Sequence, residues 1–295
     1  MRLRITLAAA MLAATSVSAQ AQSSAPLQLR PTDSWTADFA DESCALRRSF
    51  SDGTTTVVFE LGQYAPGSWL QVAVASATLD PRRRAPHTGF LPGDGAIEAK
   101  FYRPFTSEGG LTGFAVDDTM LVGDDLERAR ADEDFIWPAD ARDKREQAIT
   151  GYSVSQAFRD DLVLLTGPLH EPMKVMRTCL DDLLTRWGLD AAAHRTLSRR
   201  AGVDFDTAWF RRMAQMQGTL LDNRAGTVLA RLLVDEAGKV TGCRLLNLPP
   251  DTDDAIEFCG EMEQRAQLRP ALDSGGRPIK SFYIWQITRV VRQQF

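Results

Sequence analysis

The segments TVLARLLV (227–234), DEAGK (235–239), VTGCRLLN (240–247), DDAIEFCGEMEQRA (253–266) and KSFYIWQITRVV (280–291) decide how the C-terminal quarter of this chain reads. In the first, Val228, Ala230, Leu232 and Val234 alternate with Leu229, Arg231 and Leu233, the period of a strand with one drier face. Asp235 to Lys239 supplies a hairpin loop with Gly238 free to take a positive φ angle, and Val240 to Asn247 reads as the return strand. Pro249-Pro250 ends that strand, and Asp251, Thr252 or Asp253 can cap a helix with an acidic first turn. Ala255, Phe258, Cys259, Met262 and Ala266 fall on one face of that helix, so it should lie on the sheet. Pro270 stops it, Ser274-Gly275-Gly276 turns the chain, and Lys280 to Val291 forms a long final strand rich in aromatic and β-branched residues.

This order, with Val234-Asp235, Gly238, Val240, Arg269-Pro270-Ala271 and Gly276-Arg277-Pro278 at its turns, resembles the C-terminal domain of the TonB family over roughly residues 222–292. Asn247-Leu248-Pro249 replaces the family's Ser-Ser-Gly after the second strand, and Leu268 stands where an aromatic residue is common. The resemblance implies a periplasmic binding module that pairs its sheet edge with an extended segment of a protein partner, a TonB-dependent outer-membrane receptor being the family's usual one. Phe282, Tyr283, Ile284, Trp285 and Ile287 on the last strand would then shape selectivity. Self-association of the same edge into a homodimer is a further expectation.

The N-terminus sets the compartment. Arg2 and Arg4 precede an apolar run from Ile5 to Ala14, and Ala19-Gln20-Ala21 matches a signal-peptidase site, so residues 1–21 read as a cleavable signal peptide. The run is short of the ~20 residues that span a bilayer, and no transmembrane anchor is expected in the mature chain. No proline-rich spacer follows, which separates the chain from a true TonB. Acidic residues outnumber basic ones 39 to 34, and losing the signal removes two arginines. That balance argues against a nucleic-acid partner.

Four cysteines in an exported chain should pair, and pairing within each region joins Cys44 to Cys179 and Cys243 to Cys259. Residues 46–50, 54–61 and 69–75 read as strands of an antiparallel meander, and 171–189 as a helix on which Val175, Cys179, Leu183 and Trp187 recur. The charged stretches 124–134 and 139–147 read as surface helices or loops. The expected fold class is therefore α+β: an antiparallel-sheet domain with a packed helix over 30–190, a connector over 191–221, and a small TonB-like ββαβ domain over 222–295.

No catalytic, cofactor or metal set emerges. Asp273-Ser274-Gly275 matches an aspartic-protease tripeptide without its second copy, and His170-Glu171 lacks the second histidine of a zinc motif. His87, His170 and His194 read as solvated surface residues, Arg82-Arg83-Arg84 as a basic loop. The reading is a non-enzymatic periplasmic binding protein. Its rival is an exported enzyme with an active site in the first domain.

Overall fold

The computed structural model describes residues 25–289 apart from 83, 100, 101, 204–208, 210, 213–215, 217–219 and 221–225. The signal peptide, Arg83 and the end of the last predicted strand thus lie outside the described residues. Strands β1 (Leu27–Pro31), β2 (Thr36–Phe39), β3 (Cys44–Ser51), β4 (Thr56–Gln63), β5 (Trp69–Ser76), β6 (His87–Leu91), β7 (Ile97–Glu98), β8 (Tyr102–Thr106) and β9 (Thr112–Thr119) come first. Helices α1 (Gly123–Ala131) and α2 (Ala139–Ala148) follow, then β10 (Gly151–Ser155), β11 (Leu162–Leu164), α3 (His170–Arg186) and the single turn α4 (Ala191–His194). The chain closes with β12 (Gly226–Val234), β13 (Val240–Leu245), α5 (Asp253–Arg265), β14 (Ala271–Leu272), β15 (Pro278–Ile279) and β16 (Ser281–Arg289).

The expected α+β class is corrected by this architecture. Strand outweighs helix, 37% against 24%, and the dominant element is a curled half-barrel of eleven strands, ten of them on one path. Its path runs β7-β6-β10-β11-β1-β3-β4-β5-β9-β8, with β2 beside β3. The division into an antiparallel-sheet domain with one packed helix and a small TonB-like ββαβ domain is not the organisation found. The large sheet is not a pure antiparallel meander either, since β1 pairs with β11 in parallel. Many of its strands span five residues or fewer, too short for alternation to show, and Pro104 and Gly89 interrupt two of them.

The curled sheet encloses Phe50, Phe59, Val72, Val74, Phe90, Phe114 and Tyr152, closed by Met173, Met176, Leu180 and Leu183 of α3. These α3 residues follow i, i+3, i+7 spacing, whereas Val175, expected on that face, is 42% exposed on its flank. Gly188, at φ +75°, ends the helix, and the N–H of Leu189 closes on the carbonyl of Leu184. Cys179 on α3 is bonded to Cys44 on β3, and Cys243 on β13 to Cys259 on α5. Disulfides of this kind place the protein in an oxidising compartment. Among the described residues no helix is long and apolar enough to cross a membrane.

β13, β12 and β16 form a second, three-stranded antiparallel sheet in that order. The Asp235 side chain accepts from the N–H groups of Ala237 and Lys239, and Gly238 takes φ +82°, where any Cβ would meet the carbonyl of Leu268. Thr252 caps α5 by accepting from the N–H of Ala255. One face of the sheet, with Val228, Ala230, Leu232 and Trp285, packs under Ala255, Phe258 and Met262 of α5.

The opposite face lies against the curled sheet. Glu42 binds both Arg231 and Arg244, and the Arg231 guanidinium sits 4.4 Å from the centre of the Trp187 ring. Phe282 meets Trp187 edge-on at 5.7 Å, and the Gln286 amide donates to Asp117 at 2.7 Å. Arg269, beyond α5, pairs with Glu133 and Asp134 on the α1–α2 loop.

Candidate functional site

Among the described residues one edge of β16 has no neighbouring strand. Leu229 shows which way β12 directs its backbone: its N–H donates to the Asn247 side chain and its carbonyl accepts from the N–H of Leu246, both on the β13 side. Backbone direction alternates along a strand, so Val228, Ala230 and Leu232 turn toward β16 and exchange bonds with their partners Ile287, Trp285 and Tyr283. Phe282, Ile284 and Gln286 must then aim their N–H and C=O groups away from β12. Among the described residues no strand pairs with β16 on that side.

A groove of about 610 Å³ runs along this edge. Ser281, Phe282, Tyr283 and Ile284 all line it. Side chains of consecutive strand residues point to opposite faces, so a cavity touched by four in a row lies against the backbone edge itself. The facing wall comes from Tyr64 in the β4–β5 turn, from Trp69 and Gln71 at the start of β5, from Asp132 to Phe135, and from Arg200 to Gly202. Burial raises the Tyr64 phenol above its ordinary range. Burial lowers Arg200, and Asp134 opposes that shift. The sequence signal for this wall was weak, because it joins segments far apart in the chain.

His194 and Ser281 meet at the end of the groove. The His194 Nδ1 lies 2.7 Å from the Asp190 carbonyl, which can only accept, so Nδ1 carries the proton and Nε2 accepts from the Ser281 hydroxyl at 3.0 Å. Burial lowers the histidine's pKa, the Asp190 bond partly opposing. The pair docks α4 on β16.

A second cavity, of about 330 Å³, shares Trp69 and Asp117 with the groove, so the two adjoin across this pair. Phe90, Leu121, Val122 and Leu126 make it largely apolar, with Asp118 in its wall. Asp118 follows Phe114 and Val116 in the inward register of β9. Its Oδ2 accepts from the Tyr152 hydroxyl at 2.7 Å and the Thr88 hydroxyl at 3.0 Å, its Oδ1 from the N–H of Thr119. Burial raises its pKa, and the Tyr152 hydrogen bond is the largest opposing effect. Nothing in the sequence separates Asp118 from Asp117 beyond strand parity.

Asp143, Glu146 and His170 bring ligand atoms within 4.8 Å of one another, the one such set among the described residues. Two guanidiniums already serve its centre: Arg177 grips both oxygens of Glu146, at 2.6 and 3.1 Å, and Arg142 lies 3.9 Å away. With His170 Nδ1 at 3.2 Å, the carboxylate acts as an ion-pair hub joining α2 to α3, a poor ligand set for a cation. Glu146→Gln is expected to lower the unfolding free energy by about 1.5–3 kcal/mol, the cost of a charged hydrogen bond. Added Zn²⁺ should leave the wild-type melting temperature unchanged, and a rise of several degrees would restore the metal reading.

Comparison of the chain with protein-family models, with curated proteins and with solved structures gives no match. Site assignments therefore rest on this geometry. Of the predicted strand residues, Phe282, Tyr283 and Ile284 line the groove, while Trp285 is 1% exposed and packs beneath α5. The backbone of Ile287 lies in β16; its side chain is outside the described set. His170 and His194 are not the solvated residues expected, each being partly buried and bonded. Asp273 closes the β14–β15 turn by accepting from the N–H groups of Gly275 and Arg277, bonds that hold its carboxyl below the usual range, that from Arg277 foremost.

Proposed function

We propose that this is a non-enzymatic binding protein of the periplasm that takes an extended segment of a protein partner into the groove beside β16. The observation that carries the reading is the row of outward N–H and C=O groups at Phe282, Ile284 and Gln286, set along a groove open to an added strand. Main-chain bonding along that row supplies affinity, and alternate side chains of the segment reach the Tyr64 wall and the Tyr283 side. The resemblance of residues 222–292 to TonB C-terminal domains points the same way and favours an outer-membrane receptor as partner. The signal-like N-terminus fits export to the periplasm, and the disulfides fit its oxidising conditions.

Ser281 and His194 are the nucleophile-and-base pair that an exported enzyme would need. The serine is 2% exposed and fixed in its strand, so it meets His194 and not a substrate. Affinity capture with mature protein from periplasmic and outer-membrane extracts tests the binding reading, followed by hydrogen exchange on the captured complex. The amides of Phe282, Ile284 and Gln286 are expected to gain protection together. Protection confined to α5 or α3 would place the interface elsewhere.

A further inference from the structure

The wall of the second cavity holds a half-buried carboxylate, Asp118, that is not ion-paired. Among the described residues Asp118 has no ion-pair partner, and its three donors are two hydroxyls and one amide, all neutral. A half-buried carboxylate held only by neutral donors attracts a positive charge able to reach it. The other charges around the cavity are Asp94, Glu98, Asp117, Arg130 and Arg145. Arg130 is paired with Glu127 at 3.0 Å, and Arg145 donates to the carbonyls of Met120 and Phe90. Acidic groups therefore exceed basic ones around a largely apolar space.

The entrance lies where the groove and the cavity meet. Trp69, 49% exposed, and Asp117 border both spaces, and Asp117 is tied to Gln286 on β16. A segment paired with β16 would pass this doorway. Phe90, Leu121, Val122 and Leu126 suit an aliphatic stem, Trp69 suits a cation passing its ring face, and Asp118 offers a charge within. We propose that the cavity is a specificity pocket for one lysine or arginine side chain of the bound segment, with Asp118 as the group that receives its charge. The inference rests on the groove reading and adds the partner's chemistry to it.

The test uses the mature chain and two fluorescein-labelled peptides of alternating Thr and Val that differ at one central position, Lys in the first and Met in the second. Anisotropy is expected to show the Lys peptide binding at least about tenfold more tightly, as a desolvated charge pair allows. Asp118→Asn should erase that preference, bringing the two affinities to within about twofold of each other. Should Asp118→Asn fail to fold, Trp69→Ala at the exposed doorway is the second variant; Trp69 also lines the groove, so the readout is the ratio of the two affinities, and the Lys preference is expected to fall at least about threefold. Equal binding of the two peptides, still lost on Ile284→Pro, would overturn the pocket and spare the groove. A Lys preference that survives Asp118→Asn, or Trp69→Ala where that variant stands in, would also overturn it. Failure of both peptides to bind would remove the groove reading and this inference together.

Discussion

The Cys44→Ala/Cys179→Ala variant is expected to unfold with about 4–5 kcal/mol less free energy than the wild type, whereas Cys243→Ala/Cys259→Ala should cost about 3 kcal/mol. The difference follows from loop length: the first bridge joins residues 135 apart in sequence, the second residues 16 apart. A longer loop denies more conformations to the unfolded chain. The first bridge also fixes α3, whose Met173, Met176, Leu180 and Leu183 close the core of the curled sheet. Its consequences should extend to the groove. Glu42, two residues before Cys44, holds Arg231 and Arg244 of the smaller sheet, and Trp187, just beyond α3, supports Phe282 of β16. Denaturant unfolding of both variants measures the two costs. Equal costs would mean that native-state strain or residual unfolded structure, and not loop closure, governs these bridges.

How much of this was legible depended on segment length and on punctuation. The β12–β13 hairpin and α5 could be read because Asp235, Gly238, Pro249 and Pro250 mark their limits and the apolar residues between them keep one period. β3, β4 and β5, eight residues each, were readable for the same reason. β1, β2 and β6 were not, since four or five residues contain too few alternations to set a strand apart from a loop. Their omission hid the curl of the large sheet and led to the α+β expectation. The site divided in the same way. Residues of β16 announced themselves by composition, but strand parity decides that Trp285 faces α5 and Ile284 the groove, and parity needs a known neighbour. The facing wall joins residues near 64, 134 and 200, and local sequence gives no sign of such an encounter.

Ile284→Pro is expected to reduce partner affinity at least about tenfold while Ile284→Ala costs less than about threefold, because proline removes a donor that alanine keeps. The position matters more than the residue type. Leu229 fixes the backbone direction of β12, so the N–H of Ile284 points into the groove and that of Tyr283, one residue earlier, toward β12. Proline at 284 therefore spares the ladder within the sheet. Proline at 283 breaks it beside Leu232, in the middle of the smaller core, and should unfold the three-stranded sheet. Circular dichroism and melting should show a native Ile284→Pro and a damaged Tyr283→Pro. That contrast tests the backbone parity before any partner is added. Once it holds, unchanged partner affinity in Ile284→Pro would refute strand addition at β16, since proline removes the outward donor at the middle of the row Phe282, Ile284 and Gln286 while leaving the β12 bonds in place.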